Sequence, residues 1–223
     1  MRRFKALLTD LDGTLYREAR YEAEIRRLTL EIVAEHLGVS VDEARRRLEE
    51  ARRRLVTLTL SLEEVGVPRE YFYEELSRRL KYREFLKPDP RIAELLHEVR
   101  RREYKVAIIT NSGRPHALGT MKALGIPLDA VDALVTSSDV SRPKIDPEPY
   151  IKGLRLLGVE AREALYMGDR VEGEVKPAKE LGMTTVLVSE KPIESPWVDF
   201  VIDSPFKVLS VLEELEARSH QRT

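Results

Sequence analysis

Thr9-Asp10-Leu11-Asp12-Gly13-Thr14-Leu15 is the stretch that decides the fold of this chain. Residues 4–11 carry Ala6, Leu7 and Leu8 and end in Asp-Leu-Asp-Gly, the pattern of a buried strand running out into a turn. Side chains two apart on a strand face the same way, so Asp10 and Asp12 converge on one site if the strand continues that far. Gly13 then permits a sharp departure from the sheet.

Further apolar runs stand at 106–110, 133–136, 164–167, 184–188 and 200–202. Amphipathic stretches of helical length lie between them, at 90–102, 115–124, 147–157, 171–181 and 204–216. Alternation of this kind predicts an α/β fold with a doubly wound parallel sheet covered by helices on both faces. In such sheets the carboxyl ends of the strands form the ligand crevice, where the acidic pair, Thr110 and Asp169 would all arrive.

The segment from about 18 to 82 breaks the alternation. Its apolar residues, among them Ile25, Leu28, Ile32 and Leu37, recur at three-to-five-residue spacing, so an all-helical insert is expected. Gly38 should end its first helix, Ser40 or Asp42 should start a second running through Leu55, and Pro68 should precede a third around 71–80. The domain reading is a core of 1–16 and 84–223 with a helical cap of 17–83.

Composition limits the chemistry. Of 223 residues, 42% are hydrophobic, enough for one core and a small appended domain. The 38 lysines and arginines against 39 acids give a net charge of −1, which does not point to nucleic acid. The triplets Arg45-Arg46-Arg47 and Arg52-Arg53-Arg54 share a predicted helix with Glu43, Glu49 and Glu50, and intrahelical pairs should account for most of them. With no cysteine, thiolate catalysis and cysteine-ligated metals are excluded. No apolar stretch approaches the ~20 residues a membrane span needs, and Met1-Arg2-Arg3 leads into a short strand, so a cytoplasmic protein without a membrane partner is expected. Charged residues make up 35%, while asparagine occurs only at 111 and glutamine only at 221, a balance that suggests a thermophile. A sequence so poor in amides has kept one directly after an apolar strand, which marks Asn111 for attention.

Four motifs in order make the chain similar to the haloacid dehalogenase superfamily. They are Asp10-Leu11-Asp12-Gly13-Thr14-Leu15; the run 106–109 closed by Thr110-Asn111; Lys144 within Arg142-Pro143-Lys144-Ile145-Asp146-Pro147; and Gly168-Asp169 with Glu174 further on. The resemblance implies a Mg²⁺-dependent phosphatase acting on a small phosphorylated metabolite. Asp10 would be the nucleophile, forming an aspartyl-phosphate, and Asp12 the acid and base. Carboxylate nucleophilic catalysis with a second acid on the same face agrees with that chemistry.

Clustered carboxylates repel one another unless a cation sits between them, and Asp10, Asp169 and the backbone carbonyl of Asp12 offer the hard oxygens that suit Mg²⁺. Thr110, the Asn111 and Gly13 regions and Lys144 would hold the phosphoryl oxygens. Glu174 stands where many relatives have aspartate, and is expected to bind a metal-bound water or pair with Lys144. Ile145 follows Lys144 where many relatives have proline, which puts the reach of the lysine in question. The helical insert resembles the superfamily's cap, and Tyr16, Arg17, Arg20 and Tyr21, where the chain leaves for it, either meet the substrate or form a solvated hinge, the second being the favoured reading.

Singly, each motif has a plainer reading: a turn after a strand, a helix cap, a loop lysine. Together, in order, they would need a coincidence at every position. His36, His97, His116 and His220 show no metal-ligand spacing and are expected on helix surfaces or in the tail; Trp197 should pack a loop against the core. Among competing functions, dehalogenation does not need Asp12, and phosphonate hydrolysis would need a cap lysine, where only Lys81 is on offer. A sugar-phosphate mutase would share the core, and a phospho-accepting receiver would not place a large insert directly after Asp10.

Overall fold

The structure, a computed structural model, describes residues 4–220; Met1-Arg2-Arg3 and Gln221 lie outside the described residues. Six parallel strands form one sheet: β1 (Ala6–Thr9), β2 (Lys105–Ile109), β3 (Ala133–Val135), β4 (Ala164–Gly168), β5 (Thr184–Val188) and β6 (Phe200–Ile202). Their order is β3-β2-β1-β4-β5-β6, which puts β1 at the centre with Leu8 opposite Ala107 on one side and Tyr166 on the other. All four β1 residues are buried because both faces of the sheet are covered: Leu7 belongs to one apolar cluster, and Ala6 and Leu8 to the other.

Helices α6 (Pro90–Arg101), α7 (Arg114–Leu124) and α10 (Val208–His220) supply side chains to the Leu7 cluster, and α8 (Glu148–Leu157) and α9 (Lys176–Glu180) to the Leu8 cluster. The chain builds β2 and β3 outward on one side of β1, then returns to build β4 on the other. The strand order therefore reverses beside β1, and the crevice at the carboxyl ends opens there.

Between β1 and β2 the chain is helical before α6 as well: α1 (Ala19–Leu37), α2 (Val41–Arg54), α3 (Leu58–Glu64), α4 (Arg69–Arg79) and α5 (Tyr82–Phe85). The helix starting at Ser40 or Asp42 starts after Ser40, whose hydroxyl accepts the Glu43 N–H at 3.2 Å. Leu28 and Ile32 of α1, Leu48 of α2, Leu62 of α3 and Phe72 and Leu76 of α4 are buried together. Helix α3 was not anticipated individually, because Thr57-Leu58-Thr59-Leu60-Ser61-Leu62 alternates like a strand. The Thr57 hydroxyl, accepting the Leu60 N–H at 3.3 Å, caps it as a helix.

Three expectations are corrected. The strand carrying Asp10 stops at Thr9, so Asp12 reaches the site by a turn instead of by strand alternation. In that turn the Gly13 N–H donates to Tyr16 O at 3.0 Å and the Leu15 N–H to Leu11 O at 3.1 Å. The helix expected over 171–181 begins as a wide π turn, Val171–Val175, and is α-helical only over Lys176–Glu180; Pro177 has no N–H with which to extend the ladder. His116, expected on a surface, is 2% exposed on the inner face of α7 and hydrogen-bonds Tyr82 at 3.1 Å. Among the described residues, no helix is long and apolar enough to cross a membrane.

Candidate active site

Asp10 sits one residue beyond β1, where its N–H still donates to Met167 O at 2.9 Å and keeps the backbone aligned with β4. Its side chain is almost wholly buried. One carboxylate oxygen accepts from the Lys144 ammonium, and the other accepts from Thr14 Oγ1 at 3.1 Å. Burial, then the nearby Glu174, push the Asp10 carboxyl up to about 7 against the pull of Lys144.

Lys144 is fully buried, so the substitution of isoleucine for proline at 145 does not keep it from the site; the Ile145 side chain is exposed. The Lys144 ammonium donates to Glu174 Oε1 at 2.7 Å as well as to Asp10. Burial lowers its affinity for the proton, but the two carboxylates outweigh this and hold its pKa above the ordinary lysine value. Its loop is tied down from both ends. The Lys144 N–H donates to Asn111 Oδ1 at 2.7 Å, and the Glu148 carboxylate accepts the N–H groups of Ser141 and Arg142, each at 3.0 Å.

Glu174 projects inward from the π turn and takes the second of its expected roles, pairing with Lys144; its Oε1 also accepts from Arg170 at 2.7 Å. Burial raises its pKa, but Lys144 and Arg170 together bring it below the usual carboxylate value. The other oxygen, Oε2, has no hydrogen-bond partner.

Asp12 is held by three hydroxyls. Tyr16 donates to Oδ1 at 2.5 Å, and Ser112 and Thr110 donate to Oδ2 at 3.0 and 3.4 Å. Burial first, and then Asp12, keep the Tyr16 phenol well above its ordinary pKa, so it remains a donor. Tyr16 is therefore part of the site where a solvated hinge residue was expected, and Ser112 was not foreseen at all. A hydroxyl two residues after Thr110 and just before Gly113 was the available signal. Arg17 does behave as a structural residue of the turn, donating to Gly13 O at 2.7 Å and Val188 O at 3.2 Å. Tyr21 is buried and donates to or accepts from Thr120 at 2.7 Å.

Asp169 follows β4. Its Oδ1 is buried without a hydrogen-bond partner, and burial followed by Glu174 raises its pKa. Oxygens of Asp10, Asp169 and Glu174 lie within 4.8 Å of one another. Three crowded carboxylates, with an Asp169 Oδ1 that accepts no hydrogen bond and has only the long, 3.7 Å approach of Arg170 Nε, fit a hard divalent cation. The Asp12 carboxylate is outside this cluster, so its contribution would come through the backbone carbonyl. Gly13 has φ +90°, and a Cβ there would stand 2.5 Å from Asp169 Oδ2; only glycine lets the turn pass this close to the acid.

The expected phosphate ligands also meet at the crevice. Thr110 directly follows β2, with its hydroxyl shared between Asp12 and the Ser112 N–H, and Asn111 lies beside it with its side-chain carbonyl committed to Lys144. A cavity of about 510 Å³ opens above Asp10, Asp12 and Asp169, roofed by residues of the helical segment including Thr29, Leu48 and Tyr73. Intrahelical pairs account for two of the six triplet arginines instead of most of them: Arg46 and Arg47 pair with Glu43, the latter at 2.6 Å, whereas Arg54 pairs with Glu64 of α3 at 3.1 Å and Arg45 and Arg52 line the cavity. Trp197 is half-buried under the Lys176 ammonium, 5.2 Å from the ring centre.

Comparisons with known proteins show the family and the fold. A family model described as haloacid dehalogenase-like hydrolase matches residues 4–182, and the chain belongs to that family. Among curated proteins, the glyceraldehyde 3-phosphate phosphatase of Methanopyrus kandleri is 27% identical, over 95% of this chain and 98% of its own length. Among solved structures, a HAD phosphatase from Thermococcus onnurineus superposes with a TM-score of 0.72 at 28% identity, covering 94% of this chain and 98% of that one. A candidate beta-phosphoglucomutase from Thermotoga maritima gives 0.63 at 25% identity, covering 95% and 99%. The doubly wound core and the family resemblance carried by the four motifs are thereby both established.

Proposed function

We propose that this haloacid dehalogenase-like hydrolase is a Mg²⁺-dependent phosphatase that cleaves a small phosphomonoester by way of a phosphoryl group carried on Asp10. One observation carries the reading: the buried Asp10 carboxylate, braced by Lys144, shares the floor of the cavity with a second acid, Asp12, held by three hydroxyls.

An oxygen of Asp10 attacks phosphorus, and the bond to the ester oxygen breaks as Asp12 delivers a proton to the departing alcohol. Asp12, now a carboxylate, takes a proton from water; the water oxygen bonds to phosphorus, the bond from phosphorus to Asp10 breaks, and inorganic phosphate leaves. Tyr16, Ser112 and Thr110 fix the direction from which that proton comes and goes. Lys144, Thr110, Gly13 and Asn111 hold the phosphoryl oxygens, Lys144 being the fixed positive charge nearest Asp10. Mg²⁺ held by Asp10, Asp169 and the Asp12 carbonyl supplies further positive charge against the gathered anionic oxygens. Glu174 keeps Lys144 extended toward Asp10.

The helical segment 17–83 serves as a cap over the core of 1–16 and 84–223, so its cavity-facing residues select the substrate. The activity named for the Methanopyrus kandleri relative brings triose phosphates to the head of the substrate panel. Phosphoryl transfer back to a sugar, as a mutase would perform, is the second reading; the Thermotoga maritima neighbour favours it. The deciding experiment is release of inorganic phosphate from a panel of phosphorylated metabolites, with and without Mg²⁺, for wild type and Asp10→Asn. Metal-dependent release lost in the variant supports the phosphatase, isomerised sugar phosphate without release supports the mutase, and neither product contradicts both.

A further inference from the structure

The chain's one asparagine carries more contacts than a phosphate ligand needs. The backbone carbonyl of Asn111 accepts two hydrogen bonds from the helical segment, from the Tyr73 hydroxyl of α4 at 2.9 Å and from the Thr59 hydroxyl of α3 at 3.3 Å. The two hydroxyls are also 3.3 Å apart. Tyr73 lies directly on the loop, where a Cβ at Gly113 would stand 2.5 Å from the tyrosine's own Cβ and ring. Both side chains are buried, and burial pushes the Tyr73 phenol up to about 12, so it stays protonated and able to donate.

On its other side, Asn111 accepts the Lys144 N–H through Oδ1, and Lys144 reaches Asp10. An unbroken series of contacts therefore runs from α3 and α4, through one residue, to the cation braced against the nucleophile. An amide suits position 111 because it offers a neutral acceptor. Aspartate would accept the same N–H, but would add another anion beside Asp10, Asp12, Asp169 and Glu174.

We propose that Tyr73 and Thr59 are positioning residues: by seating the cap on the Asn111 carbonyl, they hold the Asn111 side chain where it fixes the Lys144 loop, and so couple cap closure to placement of Lys144 on Asp10. Neither residue touches the reacting atoms. The inference rests on the phosphatase reading for its kinetic consequence and on the hydrogen bonds alone for its structural one. Release of the two hydroxyls would leave the Asn111 loop held from one side only, and so let a contact remote from the reacting atoms change the rate.

The experiment combines amide hydrogen exchange with steady-state kinetics on Tyr73→Phe, Thr59→Val and the double variant, using p-nitrophenyl phosphate with Mg²⁺. In the double variant, protection of the Lys144 amide should fall about 10-fold while amides of β1 keep theirs. Its kcat should fall about 10-fold with KM within about 2-fold. In an Asn111→Ala background the same pair of changes should lower kcat by less than about 2-fold, because the link is already cut. Tyr73→Phe alone, which removes a single oxygen atom, gives the same comparison if the double variant does not fold. Unchanged Lys144 protection in the folded variants, or a full further loss of kcat in the Asn111→Ala background, overturns the proposal. Absence of wild-type turnover would instead overturn the phosphatase reading, and the exchange comparison would still decide the coupling.

Discussion

Lys144 directs its ammonium at Asp10 and, 2.7 Å away, at Glu174, with none of the lysine exposed to solvent. One buried cation thus compensates two buried carboxylates. Lys144→Met should leave Asp10 without its salt bridge and Glu174 with Arg170 alone, which also stands 3.7 Å from Asp169. Chemical denaturation should show a loss of about 3–5 kcal/mol. The kcat for phosphate release should fall by about 10²–10³-fold.

The three hydroxyls on Asp12 make its role separable from that of the nucleophile. Asp12→Asn should depend on the leaving group, because a weakly basic phenolate leaves without help and an alkoxide does not. With an alkyl phosphate the loss in kcat/KM, which reports the step that expels the leaving group, should approach about 10⁴-fold, against about 10²-fold with p-nitrophenyl phosphate. Equal losses on the two substrates would remove Asp12 from leaving-group protonation. Tyr16→Phe and Ser112→Ala should each reproduce a fraction of the effect, about 10-fold, through loss of orientation.

Gly13→Ala places a methyl group against Asp169 Oδ2 at a backbone φ of +90°. Both the contact and the φ are unfavourable, and strain of about 1–3 kcal/mol should appear as a lower denaturation midpoint. Since Asp169 is the acid displaced, the Mg²⁺ concentration for half-maximal activity should rise, by about 10-fold. Removal of Mg²⁺ with a chelator should abolish turnover in wild type and variant alike.

Away from the site, Asp139 should report on acid stability. Burial raises its pKa, but hydrogen bonds from Arg114, at 2.7 Å, and from Thr136 outweigh this and leave it depressed in the folded protein. A depressed folded pKa means stability that is fully present above the unfolded value of about 3.9 and lost as pH falls through the folded value. Asp139→Ala should therefore cost about 1–3 kcal/mol at neutral pH, toward the low end because the group is partly exposed. The gap between wild type and variant should narrow below about pH 4 in urea melts.

Much of this was legible before any coordinates. The inner strands are short runs buried on both faces, and such runs stand out against helices with one polar face. Asp10, Asp12, Thr110 and Asp169 were expected at one crevice and line it, since each comes just after a strand whose carboxyl end points there, whereas Lys144 arrives from a loop well beyond β3 and was expected from the family resemblance. What escaped was set by tertiary contact. Helix α3 hid behind a strand-like alternation that its Thr57 cap overrides, and Glu174 turns inward on a π turn that helical periodicity does not anticipate. Ser112 and Tyr16 reach Asp12 only because the Gly13 turn folds the chain back, and His116 is buried only because the helical segment brings Tyr82 and Tyr21 against α7.

The central claim, that Asp10 carries the phosphoryl group, is tested most directly by trapping it. Asp12→Asn mixed with p-nitrophenyl phosphate and Mg²⁺ should release p-nitrophenol in a burst and then stall, since the phenolate leaves unaided but no base remains to draw a proton from water. Rapid acid quench and peptide mass spectrometry should then find one phosphoryl group on the peptide containing Asp10, sensitive to hydroxylamine and absent from Asp10→Asn/Asp12→Asn. A burst with no modified Asp10, or a phosphoryl group on any other residue, would contradict the account.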